Sequence, residues 1–381
     1  MPSTHNSYRA ALLMLLTAFT GMATAEAIVK SEKERFSYQV LTAGLNHPWS
    51  LAFLPDGRML VTERGGSLRM IDADGRLDPV PVAGLPLIHQ YGQGGLLDVV
   101  LHPDFDKNHL IYFSYAEPGE TGYGTAVARG RLEDHRLTQV EVIYRMARKS
   151  GTRQHFGSRL VFDREGHLFI TQGERGNRMR AQDLNDHAGS LIRINDDGSI
   201  PKDNPFVERK DAQPEIYSYG HRNMQGAALN PGSGRLWTHE HGPQGGDEIN
   251  IPEAGRNYGW PVITYGVNYV IGTQIGEGTH KSGMEQPIYY WVPSIAPSGM
   301  AFYNGDRFKH WKGDLFVGSL KFQLLVRLEL KDDKIVHEER LLQGKLGRIR
   351  DVRQGPDGLL YLLTDEDNGK LIRLLPATDR D

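Results

Sequence analysis

One phrase recurs six times along this 381-residue chain: an alternating apolar run, a turn built from Pro, Asp and Gly, then a second apolar run. It stands at Trp49 to Thr62 (WSLAFLPDGRMLVT), at Leu96 to Phe105 leading into Leu110 to Tyr115, and at Ser158 to Thr171 (SRLVFDREGHLFIT). It returns at Ala227 to Thr238, at Ser298 to Tyr303 running into Gly313 to Gly318, and at Arg350 to Thr364 (RDVRQGPDGLLYLLT). Period-2 apolar runs around a glycine-containing turn are the signature of a β-hairpin. A third strand is expected after several of the hairpins, at Ser67 to Ile71, Leu191 to Ile194, Leu324 to Leu328 and Lys370 to Leu374. Roughly 60 residues per unit exceed the 40–50 of a four-stranded propeller blade, so the surplus is expected as long loops in the middle units. The expected fold is therefore all-β, a six-bladed β-propeller of four-stranded antiparallel blades. Radial closure protects the strand edges, and a pair of β-sandwiches would explain neither six similar units nor the lack of a linker. One domain is expected over residues 26–381.

Composition narrows the chemistry. There is no cysteine, which excludes disulfides, thiolate metal sites and a thiol nucleophile. Lys and Arg number 44 against 47 Asp and Glu, so the whole-chain charge of −3 makes no case for nucleic acid or an anionic membrane. The 44 glycines suit a chain of many turns. Residues 1–25 read as a secretory signal peptide: Arg9, an apolar stretch from Ala10 to Met22, and Ala23-Thr24-Ala25 as a cleavage signal. That stretch is short of the ~20 residues a membrane span needs. The expected product is a periplasmic or secreted protein, cleaved near Ala25, with no membrane span.

Ligands of propellers sit at one mouth of the central channel, so the informative residues are polar ones in loops and at strand ends. His155, just ahead of the third unit, suits a general base near neutral pH; a structural histidine is the alternative. Arg222 and Asn223 lie in a turn ahead of the fourth unit and offer a donor fork and an amide suited to a carboxylate or developing oxyanion. A structural salt bridge competes equally. The segment His239 to Asn250 (HEHGPQGGDEIN) concentrates acids, glycine and proline as a calcium loop does. His239 and His241 raise zinc instead, though no third and fourth ligands are evident. Lys321 interrupts an apolar run, and Arg348 and Arg350 share one strand face at i, i+2. With Arg222 they can converge on one axis, where they would repel one another unless a small polyanion sat among them. The alternative is separate surface pairs with acids such as Asp351.

Taken in order, His47 to Gly57, Gly92 to Asp98, His155 to Leu160, Gly220 to Gly226, Glu240 to Glu248, Asn257 to Pro261, Ala296 to Ser298 and Arg348 to Asp351 resemble the soluble, PQQ-dependent aldose sugar dehydrogenases, grouped with the glucose/sorbosone dehydrogenases. The resemblance runs from about Tyr38 to Leu375. It implies pyrroloquinoline quinone (PQQ), a flat tricarboxylate with an ortho-quinone, and calcium at one channel mouth. It implies that His155 takes the proton of the sugar C1 hydroxyl while hydride moves to the quinone, and that Arg222 stabilises the developing oxyanion with Asn223 beside it. It assigns Gln93, Lys321, Arg348 and Arg350 to the cofactor's carboxylates and carbonyls, and Tyr289 to an aromatic place near it. The carbonyls of Gly242 and Pro243 match calcium ligands, and Glu248 with the Tyr258 backbone a second, structural calcium. The chain departs from the glucose branch at Gln154, where that branch is acidic, and in shorter middle insertions. A monomer acting on aldoses and passing electrons to an external acceptor is expected. A calcium-dependent propeller lactonase or esterase, or a non-catalytic sugar-binding propeller, are the alternatives.

Overall fold

The computed structural model describes residues 28–377. Their strands form six antiparallel sheets arranged as a six-bladed β-propeller, the architecture expected from the repeats. Blade 1 holds Pro48–Phe53, Met59–Glu63 and Ser67–Ile71. Blade 2 follows with Leu96–Leu101, Leu110–Gly119, Gly122–Glu133 and Arg136–Arg145, and blade 3 with Leu160–Phe162, Leu168–Thr171, Ser190–Ile194 and Ile216–Tyr219. Blade 4 holds Met224–Leu229, Leu236–Glu240, Asp247–Asn250 and Tyr289–Trp291; blade 5 holds Pro297–Phe302, Leu315–Ser319, Leu324–Lys331 and Lys334–Leu341. Blade 6 takes Ile349–Gln354, Leu360–Thr364 and Gly369–Pro376 from the C-terminal end, and Arg35–Leu45 and the short Val29–Lys30 from the other end of the chain. That pairing, Phe36 opposite Pro376 through Leu45 opposite Gly369, closes the ring through hydrogen bonds where a crosslink is unavailable.

Blade 1 has three regular strands. The segment beyond them lies beside the third strand, with Asp78 donating to the Met70 carbonyl at 2.9 Å and Val82 to that of Leu68 at 2.8 Å. Pro79 and Pro81 have no N–H to extend this into a ladder, so the fourth place is filled by irregular chain. The surplus length of the middle units falls in the two connections that flank the third strand of blade 3 and in the one between the third and fourth strands of blade 4.

Buried apolar residues gather between neighbouring blades, as in the set joining blades 1 and 2 and the set joining blades 4 and 5 around Trp237 and Trp291. A larger set, with Phe36, Tyr303, Trp311 and Phe316, joins blades 5, 6 and 1. Truncating one such aromatic costs ~3–5 kcal/mol. Among the described residues no helix is long and apolar enough to cross a membrane. Residues 1–25, read as a signal peptide, lie outside the described residues.

Candidate active site

In an antiparallel hairpin the start of the first strand and the end of the second lie at one end, and the connecting turn at the other. The Pro-Asp-Gly turns therefore mark one face of the ring. The opposite face carries two sets of loops, those entering each first strand and those leaving each second strand. Gln93, His155, Arg222, Asn223 and Arg348 lie in the first set. The second set adds Lys321 together with Arg64, Glu174, His241 and Asp365.

A cavity of about 450 Å³ opens between these loops. Of the residues singled out in the sequence, Gln93, Asn223, His241, Lys321, Arg348 and Arg350 line it, and the structure adds Trp49, Arg64, Gln225 and Asp365. Four cationic side chains thus face one carboxylate. Asp365 accepts from Arg350 at 2.7 Å and lies 2.9 Å from His47 Nδ1, 3.6 Å from Arg348 and 3.8 Å from Arg64. Burial alone would raise its pKa, but Arg350 with His47 and Arg64 holds it well below the carboxylate range. Asp351 binds Arg159 and Arg353 instead, so the surface pairing considered for Arg348 and Arg350 is not formed. Buried Nε atoms of Arg64 and Arg350 have no partner among the described residues. Unanswered donors around a neutralisation deficit fit a flat, multiply charged anion.

His155 stands at the border of this cavity, next to Phe156 and Gly157 of its lining, and its N–H donates to Gln93 Oε1 at 2.9 Å. Gly92 makes that loop possible: at φ +63° it leaves no room for a Cβ, which would meet the Arg153 carbonyl. The imidazole Nδ1 is hydrogen-bonded to the Glu174 carboxylate. With Nδ1–H donating to an acid, the free lone pair is on Nε2, which has no hydrogen bond to any described residue. Burial lowers the His155 pKa; Glu174 opposes this, while Arg222 and Arg175 reinforce it. Glu174 was not foreseen. Its signal was its place, directly after a second strand at Gly173-Glu174-Arg175-Gly176.

Arg222 lies beside the same group, its carbonyl accepting from the Glu174 N–H at 2.9 Å. Its N–H donates to Glu240 Oε1 at 2.9 Å, its guanidinium to the His241 carbonyl at 3.0 Å, and its buried Nε has no partner. It also lines a second, one-water-sized cavity of about 10 Å³ with Glu240, Gly242, Gly246, Glu248 and Tyr258. Burial, then the charges of Glu240 and Asp247, push the Glu248 carboxyl well above its ordinary range. A Cβ on Gly242 would strike the carbonyls of Gly245 and Gly246, so this is a cradle of bare backbone. Paired acids beside exposed peptide oxygens are a donor set for a hard cation such as calcium. Pro243 packs near Gly266 at its rim. His239 and His241 gather no third acidic or histidine ligand among the described residues, and His241 Nε2 is bonded to the Pro297 carbonyl.

Tyr289 is the correction. It lies in the outer strand of blade 4, and its hydroxyl meets Glu338 of blade 5 at 2.8 Å, away from both cavities. Side chains alternate along a strand, so its neighbour Tyr290 faces the other way. Tyr290 is the residue that stacks, at 3.9 Å, on Tyr265, whose segment packs against the Gly242–Gly246 loop.

Residues 45–373 match the Glucose / Sorbosone dehydrogenase family model. The aldose sugar dehydrogenase YliI of Escherichia coli is 51% identical over 344 residues, covering 89% of this chain and 92% of that protein. The crystal structure of the soluble aldose sugar dehydrogenase of E. coli in the apo-form superposes with a TM-score of 0.88 at 49% identity, over 90% of this chain and all of that one. The PQQ-bound aldose sugar dehydrogenase of Streptomyces coelicolor matches at 0.73 and 28% identity, over 89% and 98%. Fold and sequence agree: the chain belongs to the glucose/sorbosone dehydrogenase family of oxidoreductases.

Proposed function

We propose that this protein oxidises aldose sugars at C1 to the lactone with PQQ as cofactor, and passes the electrons to an external acceptor. The observation that carries the reading is the cavity with four cations against one carboxylate, bordered by a histidine whose Nδ1 is tied to an acid. The sugar and PQQ named for the relatives supply its substrate and cofactor class. Lys321, Arg348, Arg350 and Gln93 would hold the cofactor's carboxylates and carbonyl oxygens, with Asn223 beside them. When bound, PQQ supplies an ortho-quinone that accepts the two electrons and hydrogen leaving C1 as hydride.

The chain's own part is proton and charge handling. His155 Nε2 takes the C1 hydroxyl proton while Glu174 keeps the proton on Nδ1 and steadies the imidazolium that forms. Arg222, fixed through Glu240 and the His241 carbonyl, keeps its free Nε for negative charge that develops in the reaction. A lactonase would leave the unpaired cations of the large cavity without a task.

Calcium is assigned to the carbonyls of Gly242 and Pro243, and a second, structural ion to Glu248 with the Tyr258 backbone. Residues 26–381 act as one catalytic domain, as a monomer, in the periplasm or outside the cell once the leader-like residues 1–25 are removed.

The test is reconstitution of the mature protein with PQQ and calcium, assayed on a panel of aldoses with an artificial electron acceptor. A quinone absorbance and sugar-dependent turnover that chelation abolishes are expected. Neither spectrum nor turnover, with calcium-dependent lactone hydrolysis in their place, would overturn the reading.

A further inference from the structure

His155 is held in a left-handed backbone conformation, φ +59°, followed by Gly157 at +62° and Ser158 at +89°. Residues other than glycine rarely take that conformation, so the surrounding structure must impose it. The peptide carbonyls around His155 show how. That of Arg153 accepts from the Gln93 N–H at 2.8 Å, and that of Phe156 from Thr125 Oγ1 at 2.7 Å. That of Gly157 accepts from Gln225 at 3.2 Å, and those of Thr152 and Gln154 both accept from Arg175, the first at 2.7 Å.

Arg175 is fully buried, and among the described residues no carboxylate pairs with it. Its guanidinium carbon lies 3.5 Å from the centroid of the Phe156 ring, and burial lowers its pKa to about 9. A buried cation ordinarily needs an acid beside it. Here peptide oxygens and an aromatic face replace the acid, an arrangement that filling space would not require. The neighbouring residue Glu174 holds the imidazole, so one loop addresses both the ring and the backbone of the same histidine.

The geometry points to Arg175 as a positioning residue for His155, its fork clamping the carbonyls of Thr152 and Gln154 so that the strained turn aims the imidazole at the cavity. The assignment rests on His155 being the base. The charge adds a second effect, because the groups facing the imidazole are Glu174, Arg222, Arg175 and His241, and removing one of the two arginines favours the imidazolium.

Arg175→Lys and Arg175→Gln in the full mature chain separate the two effects. The lysine keeps the charge but loses the planar fork. It is expected to lower kcat by roughly 10²-fold, the scale of an ångström's misplacement, with the sugar KM and PQQ affinity close to wild type. The acid limb of the pH profile should stay in place. The glutamine should lower kcat similarly and, in addition, move the limb and the His155 ring titration, followed by NMR without cofactor, to higher pH. Wild-type kcat in Arg175→Lys, or a His155 titration unmoved in Arg175→Gln, would overturn the proposal. So would a lowered melting temperature with unchanged kcat in both. Should the glutamine variant not fold, the lysine variant decides alone. If His155→Ala proved fully active, the base assignment would fall, while the NMR titration would still report whether Arg175 controls His155.

Discussion

Two arginine-rich layers share the propeller axis, and they are balanced differently. The inner one joins Arg159 and Arg353 to Asp98 and Asp351, at 3.4 and 3.0 Å for Arg159 and 2.9 Å for both contacts of Arg353. Two cations meet two anions, drawn from blades 2, 3 and 6, and Ser50 of blade 1 adds a hydroxyl donor at 2.5 Å from Asp98. The outer layer sets Arg64, Lys321, Arg348 and Arg350 against Asp365 alone. Trp49 touches both, with guanidiniums 4.1 Å (Arg159) and 5.9 Å (Arg350) from its ring centroid. The neutral layer is complete in itself and ties blades together. The unbalanced one waits for negative charge from outside. Arginine content alone does not distinguish a structural plug from a binding site; the local count of acids does.

If that contrast is right, the layers should fail in different ways. The largest effect is expected in the plug: Asp351→Asn leaves Arg159 and Arg353 short of a buried partner and should cost ~3–5 kcal/mol of stability. It should appear as a lowered thermal midpoint, with wild-type PQQ affinity in the molecules that remain folded. A loss of PQQ affinity with unchanged stability would erase the distinction.

At the mouth, His155→Ala should cut sugar-dependent dye reduction by roughly 10²–10⁴-fold, the range for a general base, while the melting temperature and cofactor loading hold. Steady-state kinetics beside a PQQ titration read both. Next, Arg348→Ala or Lys321→Ala should weaken PQQ binding roughly tenfold each, as for a lost charge-assisted hydrogen bond, with the thermal midpoint scarcely moved. Normal affinity in both would make the outer cations ornamental.

The smallest effect is in pH. His155 accepts a proton only when neutral, and burial with Arg222 and Arg175 places its pKa below the ordinary imidazole value. Activity should therefore persist as pH falls past about 6.5 and be lost only below it. An acid limb of kcat/KM above neutrality would contradict the electrostatics described for this site.

Much of this was legible before any coordinates. The hairpin units fall within about four residues of the observed strands, because alternation and turn chemistry are local. Pro79 and Pro81, which leave blade 1 without a regular fourth strand, were equally visible but were not used. The cationic residues and His155 stood out as polar positions in apolar or turn contexts. Glu174, Asp365 and Arg64 did not, since a charged residue beside a turn looks like any solvated one. Tyr289 was assigned by the resemblance alone, and the direction of its side chain in a strand of three residues is set by a tertiary contact, its hydroxyl meeting Glu338 of blade 5.

What the sequence determined by itself is the six-fold repetition, the cysteine-free dependence on closure, and the residue types that a tricarboxylate and a hard cation require. Only the tertiary structure decided which charges meet. Asp98 and Asp351, far apart in the chain, neutralise one pair of arginines, and Asp365 falls short of neutralising four other cations. The reason is physical: a net charge of −3 is a sum over the whole chain, whereas binding depends on the field inside one cavity. Ring closure brings together, on a scale of a few ångströms, side chains that sequence distance had kept apart.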